Sequence, residues 1–294
     1  MKEKCALIFG HTGQDGWYMR ELLEKLGVRV FGISRSEQQL PCSLTDFDSL
    51  KSVIEHIRPY FIFNFAASST TKHEALFENH ATISTGTCNL LEAVRSSSPS
   101  TKVFLSGSAL QFQNNGMPIN EDTPFTALSP YAVERNYTTY LARYYRAAFS
   151  MKIYFGYFFT HDSPRRKPQH MTKKIALAAK QAKEGLLSKL RVGDIDVRKE
   201  YLYAGDAMTA VWLLMQQENF FEAVIGNGED HSIAEWLEAC FSRVDLDWRN
   251  YVVIENDFVP EYRRLVSDPA RLRSLGFHPQ VSFIDLADRM MECL

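Results

Sequence analysis

Residues 5 to 9, CALIF, form an unbroken apolar run that ends at Gly10. Gly10, Gly13 and Gly16 then space a G-x-x-G-x-x-G turn ahead of WYMRELLEKLG, whose apolar positions recur at helical spacing up to Gly27. A strand, a glycine turn and a helix in that order predict the opening of a βαβ unit. Such a turn lets backbone approach a pyrophosphate while the helix N-terminus presents unsatisfied N–H groups. VRVFGIS supplies the second strand, which ends Gly32, Ile33, Ser34, Arg35, Ser36. An arginine there can pair with the extra phosphate of NADP, so Arg35 favours NADP(H). Glu37, which could accept from the ribose hydroxyls of NAD, keeps NAD as the alternative.

The alternation continues. LTDFDSLKSVIEHIRP reads as helix, YFIFNFAA as strand, ISTGTCNLLEAVRSS as helix, KVFLSGS as strand, YAVERNYTTYLARYYRAAF as helix and KIYFGYFF as strand. This predicts an α/β fold with a doubly wound parallel sheet covered on both faces. Beyond about residue 160 the rhythm degrades into a basic loop, one helix and short irregular elements. We read residues 1–160 and 203–220 as a dinucleotide-binding domain, with a smaller interleaved domain of residues 161–202 and 221–294 and a cleft between the two. The formal charge of −2 over 294 residues argues against nucleic acid as a partner. The five cysteines, Cys5, Cys42, Cys88, Cys240 and Cys293, follow no metal or disulfide spacing and suit a reducing cytoplasm. No apolar stretch approaches the ~20 residues of a membrane span.

The segments GHTGQDGWYMRELLEKLG, FGISRS, FNFAASS, GTCNLLEAVR, SPYAVER, HDSPRR, VGDIDVRKEYLYAGDAM and SDPARLRSLGFHPQVSF run nearly the whole length. Together they resemble the extended short-chain dehydrogenase/reductases, GDP-mannose 4,6-dehydratases above all. The resemblance implies a Rossmann fold in which Gln14, Asp15, Ala66 and Ala67 join Gly10, Gly13, Gly16 and Arg35 around the cofactor. It also implies that Tyr131 exchanges a proton with a sugar hydroxyl during hydride transfer. The family pairs that tyrosine with a lysine that lowers its pKa and holds the nicotinamide ribose; here the position is Arg135, which keeps the charge in a larger planar fork. The family's loop hydroxyl falls on Gly107 and its dehydratase glutamate on Ala109. Ser106 and Ser108 are the remaining hydroxyl candidates, while Glu121, His161 and Asp162 read as loop hydrogen-bonding groups rather than replacement bases.

HDSPRRKPQHMTKK concentrates Arg165, Arg166, Lys167, Lys173 and Lys174, a cluster suited to a diphosphate. The resemblance adds Arg198 and Lys199, Thr160 where the family has asparagine, and Glu261 from a segment in which Phe258 stands at the family's arginine. It further implies a homodimer or tetramer built through the helix YTTYLARYYRAAF. The expected activity is NAD(P)-dependent modification of a nucleotide-diphosphate sugar, GDP-linked first, by 4-keto redox, epimerisation or atypical dehydration. The alternative is a non-catalytic, nucleotide-sugar-binding partner of an active paralogue.

Overall fold

The computed structural model describes residues 4–34, 40, 42–67, 70–255 and 257–292. Its first half alternates β1 (Cys5–Phe9), α1 (Gln14–Lys25), β2 (Arg29–Ile33), α2 (Phe47–Ile57), β3 (Phe61–Asn64), α3 (Leu76–Asn79), α4 (Gly86–Ser97), β4 (Lys102–Ser108), α5 (Pro130–Phe149) and β5 (Ile153–Phe158). Then follow β6 (His161–Asp162), α6 (Met171–Lys183), β7 (Leu190–Val192), β8 (Arg198–Glu200), β9 (Leu202–Tyr203), α7 (Ala204–Met215) and β10 (Glu222–Ile225). The chain closes with β11 (Asp230–Ser232), α8 (Ile233–Ser242), β12 (Val252–Ile254), β13 (Arg264–Leu265), α9 (Ala270–Ser274) and α10 (Phe283–Glu292).

Six strands make one parallel sheet in the order β10-β5-β4-β3-β1-β2. Every residue of β3 and β5 is buried, which is why these strands read as continuous apolar runs and not as alternating ones. The order reverses between β1 and β3, the switch point where open α/β sheets leave a crevice beyond their strand ends. Local signals set the helix ends. Asp46 caps α2 by accepting from the Ser49 amide, and Ser129 caps α5 with Pro130 in the first turn. α4 departs from expectation at its start: a π-helical turn, His80–Thr85, precedes Gly86.

The chain divides into two units, residues 1–113, 121–158 and 208–225 in the first and 114–120, 159–207 and 226–294 in the second. The sequence boundaries placed 221–225 in the second domain. These residues include β10, which pairs with β5 at the edge of the main sheet and so lies in the first unit. Glu222 fixes that edge strand: its carboxylate accepts from Arg143 (2.9 Å and 2.6 Å), from Arg146 and from the Tyr157 hydroxyl (2.7 Å). The second unit is less irregular than its sequence suggests. It holds sheets ordered β11-β8-β13, β12-β7 and β6-β9, and a core of its own in which Trp236 stacks on Tyr201 beside Phe241 and Leu286. No helix among the described residues is long and apolar enough to cross a membrane.

Candidate cofactor and active site

In the first unit the glycine turn closes tightly. Gly10 has φ 79°, open to glycine and strained for other residues, and a Cβ on it would lie 3.1 Å from the Ala66 nitrogen. A Cβ on Gly16 would lie 2.5 Å from His11 Cα and closer still to the Gly10 carbonyl oxygen. Backbone from β1, from α1 and from the end of β3 therefore meets in a space that side chains would fill. Gly13 takes the N-cap position of α1 and has no side chain to offer the first helical amides. The Ala66 amide donates to Asn64 Oδ1 (3.2 Å), a local turn that shapes the backbone at the end of β3. This cradle of bare backbone at a helix N-terminus fits a dinucleotide pyrophosphate. Gln14 and Asp15 open α1 and hydrogen-bond each other (3.2 Å), and Ala67 follows Ala66. Arg35 and Glu37, on which the choice between NADP and NAD rests, lie outside the described residues.

Tyr131 and Arg135 sit in the first two turns of α5, both buried, with the guanidinium carbon 5.2 Å from the tyrosine ring centroid. Arg135 turns toward β4. Its Nη1 donates to the Ser106 carbonyl and lies 3.2 Å from the Ser106 hydroxyl, which in turn donates to the Asn64 carbonyl (3.0 Å). Ser108 is engaged differently: its hydroxyl accepts from the Leu110 amide (3.2 Å) while Gln111 Oε1 accepts from the Ser108 amide (2.8 Å), a capping box at the turn after β4. Both serine hydroxyls thus make structural bonds to the loop and sheet around them.

Gly107 lies between them, and its surroundings leave no room for the missing hydroxyl. A Cβ there would lie 2.6 Å from Gln111 Oε1, 3.0 Å from Tyr157 Cδ1 and closer still to the Phe155 ring. Ala109 is buried, 2% exposed. The sequence reading missed Gln111, whose amide also donates to Asn136 (3.2 Å) and Thr139 (3.0 Å) and so ties the turn to α5. The signal was present, since Ser108 with Gln111 has the S-x-x-Q spacing of a capping box. Glu121, the one carboxylate considered as a replacement base in this unit, accepts from the Val224 amide (2.8 Å).

The second unit brings some of the expected diphosphate ligands together and neutralises them. Asp162 is buried; burial alone would push its carboxyl up, but the charges of Arg166 and Lys199 and a hydrogen bond from Arg166 hold it below the usual range. Arg166 donates to Asp162 (2.6 Å) and to the His161 carbonyl (2.8 Å). Burial pushes the Lys199 ammonium down despite Asp162, and burial with the charge of Arg166 does the same to His170. His161 Nδ1 lies 2.9 Å from the Phe159 carbonyl oxygen. Arg198 belongs to a different cluster, bound to Asp230 (2.6 Å) and Glu235 (3.1 Å) beside Arg264. Arg165 and Glu261 are exposed, Lys174 is exposed with its ammonium on the Arg191 carbonyl (3.0 Å), and the Thr160 side chain hydrogen-bonds Tyr262.

Comparison with known proteins agrees with this architecture. Residues 38–290 match the family model described as GDP-mannose 4,6 dehydratase. GDP-mannose 4,6 dehydratase 2 of Arabidopsis thaliana is 32% identical over 98% of this chain and 86% of its own length, and the Drosophila melanogaster enzyme 30% identical over 99% and 86%. Among solved structures, RMD from Pseudomonas aeruginosa complexed with NADPH superposes with a TM-score of 0.86 at 21% identity, covering 99% of this chain and 98% of that one. A UDP-glucose 4-epimerase from Thermotoga maritima with UDP-glucose gives 0.87 at 18% identity, covering 98% of each chain. The chain belongs to the GDP-mannose 4,6-dehydratase family, within the extended short-chain dehydrogenase/reductases.

Proposed function

We propose that this protein binds NADP(H), with NAD(H) as the alternative, and a nucleotide-diphosphate sugar, GDP-linked first, and that it does not carry out the dehydration for which its relatives are named. The observation that carries this reading is the closed loop after β4. Removing a carbon-bound proton beside a ketone needs a positioned base, and Ala109 in its buried setting offers none. A bound nicotinamide would supply hydride chemistry at one sugar carbon. Tyr131 would exchange the hydroxyl proton, with the Arg135 guanidinium 5.2 Å from its ring centroid. The reaction is then 4-keto redox or epimerisation in the cytoplasm. Gly10, Gly13, Gln14, Asp15, Gly16, Ala66 and Ala67 would hold the cofactor, and Arg165, Lys174 and Lys199 with Thr160 and Glu261 the sugar nucleotide. Val133, Tyr137, Tyr140 and Tyr144, exposed along α5, support a homodimer or tetramer.

The bond of the Ser106 hydroxyl to the Asn64 carbonyl favours a second reading, a non-catalytic cofactor- and nucleotide-sugar-binding partner of an active paralogue. The test is absorbance at the reduced-nicotinamide band during incubation with GDP- and UDP-sugars, with mass spectrometry of the products. A two-hydrogen shift or an isomerised sugar supports the redox reading. Bound nucleotide with no product supports the partner reading. Loss of one water overturns the proposal.

A further inference from the structure

Outside the cofactor turn and the loop after β4, one histidine is held in a way the others are not. His80 opens the π-helical turn His80–Thr85 and Ser84 lies four residues on; both meet Glu134 of α5. The Glu134 carboxylate is buried and accepts from the Ser84 hydroxyl, while His80 Nδ1 lies 3.2 Å from each of its oxygens. A carboxylate only accepts, so Nδ1 carries the ring hydrogen and the lone pair is left on Nε2. The His80 side chain is 63% exposed, and Nε2 has no hydrogen-bond partner among the described residues. Of the other histidines, His11 and His161 are buried, His170 is half-buried, and His231 stacks on Phe283 with ring centroids 3.8 Å apart. His56, His73 and His278 are exposed, with no carboxylate partner among the described residues.

We propose that His80 is a nucleophilic histidine, a site at which a neutral activated acyl group becomes attached to Nε2. A carboxylate behind an imidazole fixes the orientation of the ring and stabilises the positive ring formed when the far nitrogen attacks. The Ser84 hydroxyl holds that carboxylate in turn. In the step, the Nε2 lone pair forms a bond to the acyl carbon, the bond from that carbon to its leaving oxygen breaks, and the leaving group departs with the electron pair. The ring, still carrying its Nδ1 hydrogen, is then positive against Glu134 and returns to neutrality by releasing that proton to water. Negative charge behind the ring disfavours an anionic phosphoryl donor. Phe77, three residues earlier and 83% exposed, offers apolar surface to an acyl chain.

The test is limited labelling of the full chain with diethyl pyrocarbonate, a neutral activated acyl donor, followed by peptide mapping by mass spectrometry. His80 should label about tenfold or more faster than His56, His73 and His278 in the same sample. Glu134→Gln, which keeps the shape and removes the charge, should bring His80 down to the rate of those three, and Ser84→Ala should lower it by less. His11 and His161 report folding, because both are buried and label only when the chain opens. Wild-type His80 that labels no faster than the three exposed histidines overturns the proposal. An undiminished rate in Glu134→Gln, with His11 and His161 still protected, overturns it equally. Where labelling of His11 and His161 shows that Glu134→Gln has opened, Ser84→Ala decides, and an unchanged His80 rate there overturns the role given to the carboxylate.

Discussion

Gly107→Ala is the perturbation that interrogates the loop most directly. The added methyl meets the Phe155 ring, Gln111 Oε1 and Tyr157 Cδ1 together, and both aromatic residues are buried in the neighbouring strand β5. If the rings yield, overpacking costs about 1–3 kcal/mol. If Gln111 yields, its bonds to Ser108, Asn136 and Thr139 are at stake, each contributing about 1 kcal/mol. Alanine returns about 0.4–1 kcal/mol through the unfolded chain. The expected net loss is about 0–2.6 kcal/mol, read as a fall of up to roughly 10 °C in the melting temperature of the first unit. Gly107→Thr, which restores the family's hydroxyl, should lose at least as much and gain no dehydration. A Gly107→Thr protein as stable as wild type that also releases water from a GDP-sugar would refute the reasoning.

Gly16→Ala should lower dinucleotide affinity at least tenfold in a fluorescence titration, because its Cβ meets backbone that no side-chain rotation can clear. Asp162→Asn should destabilise the second unit by about 3–5 kcal/mol in urea unfolding, since Arg166 and Lys199 would lose their buried counter-charge. Burial raises the Glu222 carboxyl, but hydrogen bonds from Arg143 and Tyr157 and the arginine charges bring it down to about 2. A depressed carboxylate stabilises the fold fully above its unfolded pKa of about 4.5 and loses that contribution as pH falls toward 2. Wild type should therefore lose stability between pH 4.5 and 2 more steeply than Glu222→Gln, which is already weakened at pH 7.

The glycine turn and the parallel sheet were legible because they are written locally. Gly10, Gly13 and Gly16 stand within seven residues of one another, and strands buried on both faces advertise themselves as apolar runs. The state of the active-site loop was only half legible. The letters at 107 and 109 showed that a hydroxyl and a carboxylate were missing. That Phe155 and Tyr157 crowd the vacated position depends on the pairing of β4 with β5, a contact between distant segments. Ser106 and Ser108 looked alike as candidates until the carbonyl of Asn64 and the Gln111 cap distinguished their roles. Arg198 was read beside Lys199 as a diphosphate ligand; neighbours in a strand point to opposite faces, and β11 brings Asp230 to the arginine. Glu134 drew no notice in sequence, yet its buried carboxylate accepts from Ser84 in the π-helical turn and meets His80 (3.2 Å).

The late return of β10 to the main sheet has a consequence for how the chain is made. A ribosome that has released residues up to 158 has emitted five of the six strands but not the one that covers the β5 edge. Until Glu222 emerges, Arg143, Arg146 and the Tyr157 hydroxyl lack their shared acceptor, and β5 presents an open row of amides and carbonyls. The nascent first unit should therefore be an aggregation-prone, chaperone-dependent species that becomes self-sufficient only after the intervening segment has been synthesised.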